Sequence, residues 1–470
     1  MSDGAWAPQR RLLTAGLIAL VTAAAFEGMA VPTVLPELAD ELDGLDLYGW
    51  AFSAFWLTNI IGITLAGLDT DRRGPARAFL VGASLFAAGM VISGLAGDML
   101  VVILGRAVQG FGAGAISAIV WAVIARAYPA SAKPRMIALT SSAWVVPGLI
   151  GPALAGAVTD TIGWRWVFLG VAPPVLLTAL ALWRSLAGMG PARTTAPARS
   201  DARRAVDSVR LAVGSSLLLA ATQAGNGLVA IGMVVVGGWL AVAALRHLVP
   251  VGTMRLRRGR PSVVAVIFII GFAFFGTEAF VPLTVVEVRG GSVTLGGLAL
   301  SAAAVTWAAG SWLQARAAAK GTRRALVTGG AALISVGIVI TSAILLSGVP
   351  IFVAAIGWAI AGLGMGLAYS MLSLLVLETA TLGEEGFSSS ALSLMFTLGT
   401  ALGAGFGGAF IALADSGAID LVTALAAVNA VMFVAALAAV AVGLRVPHSG
   451  VAAPADRGRA HAAPVPLEHP

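Results

Sequence analysis

The chain has 470 residues, of which 59% are hydrophobic and only 11% charged. Soluble domains run at about 45–50% apolar and about 25% charged residues, so one aqueous core cannot bury this much apolar surface. The absence of cysteine excludes a disulfide framework, a Cys-based zinc site and a thiol nucleophile. The histidines, His247, His448, His461 and His469, show no metal-ligand spacing.

The apolar residues come in blocks of about 20, the length that crosses a hydrocarbon core of ~30 Å. Taken in chain order, fourteen spans are predicted: 12–35, 48–68, 78–97, 99–125, 136–158, 164–186, 206–224, 227–245, 261–286, 293–315, 324–346, 350–377, 386–413 and 418–444. The first follows Arg10 and Arg11 but is too long for the apolar core of a signal peptide, so it reads as a retained span. The seventh is the weakest, because Gln223 and Asn226 crowd its end. The expected fold class is an all-α polytopic membrane protein.

Basic residues orient these spans. With the N-terminus on the cytoplasmic side, all of the 29 Lys+Arg except Arg106, Arg165 and Arg289 fall at cytoplasmic connections or in the C-terminal segment. The first opposite-side loop, 37–46, is acidic. One cytoplasmic loop departs by carrying Glu378, Glu384 and Glu385. The net charge of +7 therefore reads as a collar facing anionic headgroups, not as a nucleic-acid surface. Residues 188–205 read as a polar inter-helix loop, and 447–470, rich in Ala and Pro, as a disordered tail.

The two halves repeat. Gly105-Arg-Ala-Val-Gln-Gly110-Phe-Gly112-Ala-Gly114 matches Gly357-Trp-Ala-Ile-Ala-Gly362-Leu-Gly364-Met-Gly366. Glu27 before Val31-Pro32 matches Glu278 before Val281-Pro282, and Thr58 with Gly62 matches Thr306 with Gly310. Parallel six-helix repeats are a transporter architecture. The surplus between the repeats is one helical hairpin, so the expected organisation is 1–190 as a six-helix bundle, 191–260 as a loop plus inserted hairpin, 261–446 as the second bundle and 447–470 as tail.

Three motifs then carry a resemblance. After span two stands Gly67-Leu-Asp69-Thr-Asp71-Arg72-Arg73-Gly74-Pro75-Ala76-Arg77; span four holds Arg106, Gln109 and Gly110; span five holds Pro147-Gly148-Leu-Ile-Gly151-Pro152-Ala-Leu-Ala-Gly156. Together with Trp164-Arg165-Trp166-Val-Phe168 they resemble the major facilitator superfamily, and within it the fourteen-helix drug:proton antiporter branch. The resemblance implies that Gly74 allows a tight turn and that Asp71 caps a helix and pairs with an arginine across the bundle interface. It implies export through the span-five motif. The sequence departs at Pro75-Ala76, where an arginine is usual, at Ala155, where a glycine is usual, and in the second-half copy of the loop motif, which has no acid.

Charge inside a bilayer is expensive, so intramembrane ionisable residues are functional candidates. Three stand inside spans: Glu27, Arg106 and Glu278. At ~1.5 Å per residue, all three fall in the outer half at similar depth. Glu27 is expected to be a site where a proton and a substrate cation compete, with Arg106 beside it. Glu278 is either a second such site or a partner of Arg289. Asn59, Gln109 and Tyr369 are candidate cavity groups, and Trp50, Trp56, Trp121, Trp144, Trp307 and Trp358 candidate aromatic lining. Pro32, Pro36, Pro147, Pro152 and Pro282 are candidate kinks.

No Walker motif and no nucleophile–base arrangement stands in the chain, so it reads as no enzyme. The expected function is a proton-coupled secondary exporter of lipophilic or cationic small molecules, using a proton gradient and no cofactor. A lipid exporter of the same fold is the alternative; a nutrient symporter and a non-transporting membrane protein rank below it. The Ala, Gly and Arg bias suits a high-GC bacterium, and the expected form is a monomer in its plasma membrane with both termini cytoplasmic.

Overall fold

The computed structural model describes residues 5–129, 131–191, 198–318, 323–379 and 385–447. Their helices are α1 (Arg11–Glu41), α2 (Tyr48–Arg73), α3 (Pro75–Gly94), α4 (Met99–Ala127), α5 (Lys133–Ser142), α6 (Val145–Ile162), α7 (Arg165–Leu169), α8 (Ala172–Ala187), α9 (Ala198–Ala221), α10 (Gly227–Leu248), α11 (Arg260–Glu278), α12 (Val281–Leu283), α13 (Val293–Ala318), α14 (Arg323–Ser342), α15 (Phe352–Glu378), α16 (Glu385–Asp415) and α17 (Leu421–Gly443). The expected tail from residue 448 onward, with His448, His461 and His469, lies outside the described residues, as do Lys320 and Glu384.

Among the described residues, 13 helical stretches are long and apolar enough to cross a membrane. The all-α polytopic expectation is met. The exception is α9, the seventh predicted span, and its weakness has a different cause from the one expected. Gln223 and Asn226 sit in the turn beyond it, where Asn226 Oδ1 accepts from the N–H of Leu228 at 2.9 Å and caps α10. The charges lie lower. Asp207 is buried in α9, accepts from Arg210 Nη1 at 3.2 Å and lies 3.2 Å from His247 Nδ1 of α10. Pairing of this kind lowers the cost of carrying charge inside a helix pair.

Prolines explain where predicted spans break. Span five divides at Ala143–Trp144, four residues before Pro147, whose ring clashes with the Ala143 carbonyl and offers it no N–H. Span six divides between α7 and α8 at Gly170, four residues before Pro174. Span nine ends α11 at Glu278, four residues before Pro282, and continues through α12 into a π-helical turn, Thr284–Val288. Pro32, Pro36 and Pro152 instead stay within continuous helices.

The sequence repeat is also a packing repeat. α4 packs on α2 and α3 as α15 packs on α13 and α14. A Cβ on Gly110 would fall 2.0 Å from the Phe55 carbonyl oxygen, and one on Gly362 would fall 2.2 Å from that of Ala303. Only glycine permits such backbone contact, which is why the same spacing recurs in both halves. The halves meet along two seams, α2 on α16 and α6 on α13, which the repeat relates to each other. The α9–α10 pair lies against α2 and α16, beside one seam.

The two ends of the bundle differ in charge. One end carries Glu37, Asp40, Glu41, Asp43, Asp46, Asp160 and Asp415 and is called the acidic end; the end carrying Arg72, Arg73, Arg77, Arg126 and Arg260 is called the basic end. Arg165, an exception to the charge rule, sits at the acidic end, bonded to Glu41 and to the Ala96 carbonyl at 3.2 Å. Trp164 beside it donates to Glu41 Oε2 at 2.7 Å.

Candidate functional site

Glu27 on α1 and Arg106 on α4 are brought into direct contact, each only 2% exposed. Arg106 is engaged through two of its three nitrogens. It donates through Nη1 to Glu27 Oε1 and to Gln109 Oε1 (2.9 Å) and through Nε to the Ala51 carbonyl (3.2 Å). Its guanidinium lies 4.3 Å from the centre of the Phe55 ring. The pair is not saturated on the acid side: Glu27 Oε2 and Gln109 Nε2 are buried without a hydrogen-bond partner among the described residues. A buried carboxylate with one oxygen held and one free has a place for a proton or a donor group.

The second half builds the same position differently. Trp358 on α15 stands where the repeat puts Arg106 on α4, and Glu278 stands where it puts Glu27. Glu278 Oε2 accepts from Trp358 Nε1 at 3.2 Å. The expected alternative, a Glu278–Arg289 pair, is not formed. Arg289 instead donates to the carbonyls of Ile344 (2.7 Å), Leu346 (3.1 Å) and Ser347 (3.3 Å), because Pro282 and the π-helical turn redirect the chain after Glu278.

A ribbon of rings links the two acids. Trp358 stacks on Phe274 at 4.7 Å, Phe274 meets Phe275 at 5.2 Å, Phe275 meets Trp56 at 6.5 Å across the halves, and Trp56 meets Phe55 at 5.2 Å. Trp307, Tyr369 and Phe396 extend it, with Tyr369 4.8 Å from Phe396 and 5.8 Å from Trp307. Of the six tryptophans expected to line a cavity, Trp56, Trp307 and Trp358 join this ribbon. Trp121 and Trp144 are 53% and 44% exposed and outside the ribbon, and Trp50 bonds Gln223 of the hairpin at 2.9 Å. The phenylalanines were missed because a Phe in an apolar span carries no signal of which way it faces; the adjacent Phe274-Phe275 pair one turn before Glu278 was the available clue.

Gln109 belongs to the site and Tyr369 to the ribbon. Asn59 does not. Its Nδ2 donates to the Gly110 carbonyl at 3.4 Å, so it serves α2–α4 packing. In the loop motif, Gly74 has φ +89° and turns α2 into α3, with Gly67, Arg72 and Arg77 around it. Arg72 pairs with Asp201 at 3.2 Å and Arg73 with Asp69 at 3.3 Å. Asp71 makes no hydrogen bond or ion pair among the described residues, so the pairing across the bundle interface is not formed here; the cation acting on it is Arg126 of α4, which donates to the Gly190 carbonyl.

The span-five motif lies on a seam. Pro147, Gly148, Gly151, Pro152 and Gly156 are all buried. A Cβ on Gly156 would fall 2.5 Å from Thr294 Cα of α13, and one on Gly148 would fall 3.0 Å from Ala304 Cβ. Further along α6, Asp160 reaches across the seam. Its carboxylate accepts from the N–H of Val293 (3.3 Å), the N–H of Thr294 (3.1 Å) and Thr294 Oγ1 (2.6 Å), capping α13. The other seam is tied by Ser53 donating to Ala401 O at 2.7 Å, and beside it Tyr48 of α2 donates to Ala279 O at the end of α11 at 2.9 Å. These ties hold the halves together at the acidic end.

Comparison with known proteins agrees with this architecture. The family model described as Major Facilitator Superfamily matches residues 16–380. An uncharacterized MFS-type transporter of Mycobacterium tuberculosis is 28% identical over 425 residues, covering 86% of this chain; the chain spans 59% of that relative's length. The multidrug transporter protein MdtP of Bacillus subtilis is 25% identical over 408 residues, covering 84% of this chain and 74% of its own. A crystal structure of a POT family transporter in complex with 5-aminolevulinic acid superposes with a TM-score of 0.69 at 14% identity, covering 94% of this chain and 98% of its own, which speaks to the fold alone. The chain belongs to the Major Facilitator Superfamily.

Proposed function

We propose that the chain is a proton-coupled secondary transporter that exports lipophilic or cationic small molecules by alternating access. The observation that carries this reading is the buried Glu27 carboxylate, bonded to Arg106 on one oxygen and unpartnered on the other. A proton and a cationic substrate compete for that one acid, which is the chemical core of exchange. The ribbon of rings supports a flat, lipophilic substrate, since aromatic faces attract cations and apolar rings alike. Glu278, bonded to a neutral indole, supplies a second protonatable position.

In this reading residues 1–190 and 261–446 are the moving halves, and the acidic end faces outward, an orientation the distribution of arginines supports. The conformation is closed on that side. Substrate enters from the basic, cytoplasmic end of a plasma membrane. At the acidic end a cavity of about 140 Å³ lined by Asp40, Asp43, Glu287 and Asp415 favours the departure of cations toward the outside. The loop motif orders the cytoplasmic turn and the span-five glycines let the seam close. The unit is a monomer, and the proton gradient is its only energy source. Purified protein in liposomes under an imposed pH gradient tests the reading, with a cationic dye and a labelled lipid as alternative cargoes. Dye movement lost in Glu27→Gln supports it; movement of labelled lipid alone replaces it with lipid export.

A further inference from the structure

The inserted hairpin carries a feature that export does not use. A groove of about 440 Å³ runs along α9, lined by Leu65 of α2, by Ala205, Val206, Val209, Arg210 and Val213 of α9, and by Leu240 of α10. Arg210 is its one charged residue. Val206, Val209 and Val213 are 46%, 40% and 44% exposed, and Trp239 beside Leu240 is 67% exposed. In a chain whose outer surface is solvated by hydrocarbon, such a groove opens sideways into lipid.

Its level in the bilayer follows from the hairpin. Asp207 of α9 lies 3.2 Å from His247, in the last turn of α10, so this cluster marks the basic end. At ~1.5 Å per residue, Arg210 sits ~5 Å deeper and Leu240 ~10 Å above His247. Two guanidiniums, Arg203 at 4.0 Å and Arg210 at 3.2 Å, share the single buried carboxylate of Asp207. The cluster keeps a surplus positive charge at the top of an apolar channel. Asp207 offsets one of the two arginine charges, and the second is costly at that depth unless another anion meets it.

We propose that this groove binds one anionic phospholipid from the leaflet at the basic end. The phosphodiester meets Arg210 and Arg203, and an acyl chain lies over Val206, Val209, Val213, Leu65 and Leu240. Because α9 also packs against α2 and α16, the bound lipid sits beside the seam between the halves. The proposal does not depend on what the protein transports.

The test uses the full chain in vesicles of phosphatidylcholine and phosphatidylglycerol, with a photoactivatable phosphatidylglycerol and the matching phosphatidylcholine as probes. The expected result is labelling of α9 peptides by the phosphatidylglycerol probe in preference to the phosphatidylcholine one. Arg210→Gln should lower it about fivefold, the worth of one basic group against an anionic headgroup. Val213→Trp, which fills the channel and leaves Arg210 in place, should lower it as well and covers the case in which Arg210→Gln fails to fold. Equal labelling by both probes, labelling elsewhere but not on α9, indifference to both substitutions, or burial of this face in a dimer would each overturn the proposal.

Discussion

Asp160→Ala perturbs one seam and nothing else in the site. The carboxylate ties α6 to α13 through two backbone N–H groups and one hydroxyl, at 3.3, 3.1 and 2.6 Å. In the proposed cycle these bonds break when the acidic end opens, so their loss is felt by the closed state and not by the open one. A charged hydrogen bond is worth about 1.5–3 kcal/mol and a helix cap about 1 kcal/mol. Asp160 is solvent-exposed, so screening reduces the sum to about 1–2 kcal/mol. That changes the ratio of closed to open molecules by a factor of about 5–30. The chain has no cysteine, so labels can be introduced at chosen pairs without background. Spin labels at Thr161→Cys and Leu295→Cys report the seam directly in an electron–electron distance measurement. The closed distance should lose population to a longer one in Asp160→Ala. An unchanged distance distribution would refute the argument that Asp160 holds the seam.

Other substitutions follow from the same geometry. Gly156→Leu should hold α6 and α13 apart at the acidic end, since even a Cβ falls 2.5 Å from Thr294 Cα; the same label pair should report the longer distance, and transport should stop. Arg106→Met strands a carboxylate in a dry interior and should cost about 3–5 kcal/mol of stability, while the double variant Glu27→Met with Arg106→Met should recover much of that, as read by thermal unfolding in detergent. Trp358→Phe keeps the ring against Phe274 but removes the one donor to Glu278 among the described residues; its destabilisation should shrink when combined with Glu278→Gln, giving a non-additive double-mutant cycle.

Much of the fold was legible in the sequence because two physical signals dominate a membrane chain: apolar runs as long as the bilayer is thick, and arginines kept to one side. The repeat was legible too, because backbone contact at Gly110 and Gly362 tolerates only glycine and so preserves the spacing. Glu27 and Arg106 could be paired from depth alone, since a buried acid and a buried base at one level in the bilayer need each other. Glu278 was different. The charge partner expected for it was Arg289, yet a neutral indole N–H takes that place, and an indole in a span reads the same whether it faces lipid, a neighbouring helix or a carboxylate. Helix breaks at Pro147 and Pro282 were foreseen in kind, but Pro32 and Pro152 show that a proline alone does not decide between a bend and a break. Asp160 was passed over because its partners, the N–H groups of Val293 and Thr294, lie in the other half of the chain and have no signature of their own.

The central claim is that Glu27 is the acid for which proton and substrate compete. Uptake of a cationic dye into inside-out vesicles of purified protein, driven by an imposed pH gradient, tests it most directly. Wild type should move dye in proportion to the gradient, and Glu27→Gln should bind or leak dye without responding to it. Full gradient-driven transport by Glu27→Gln would contradict the account.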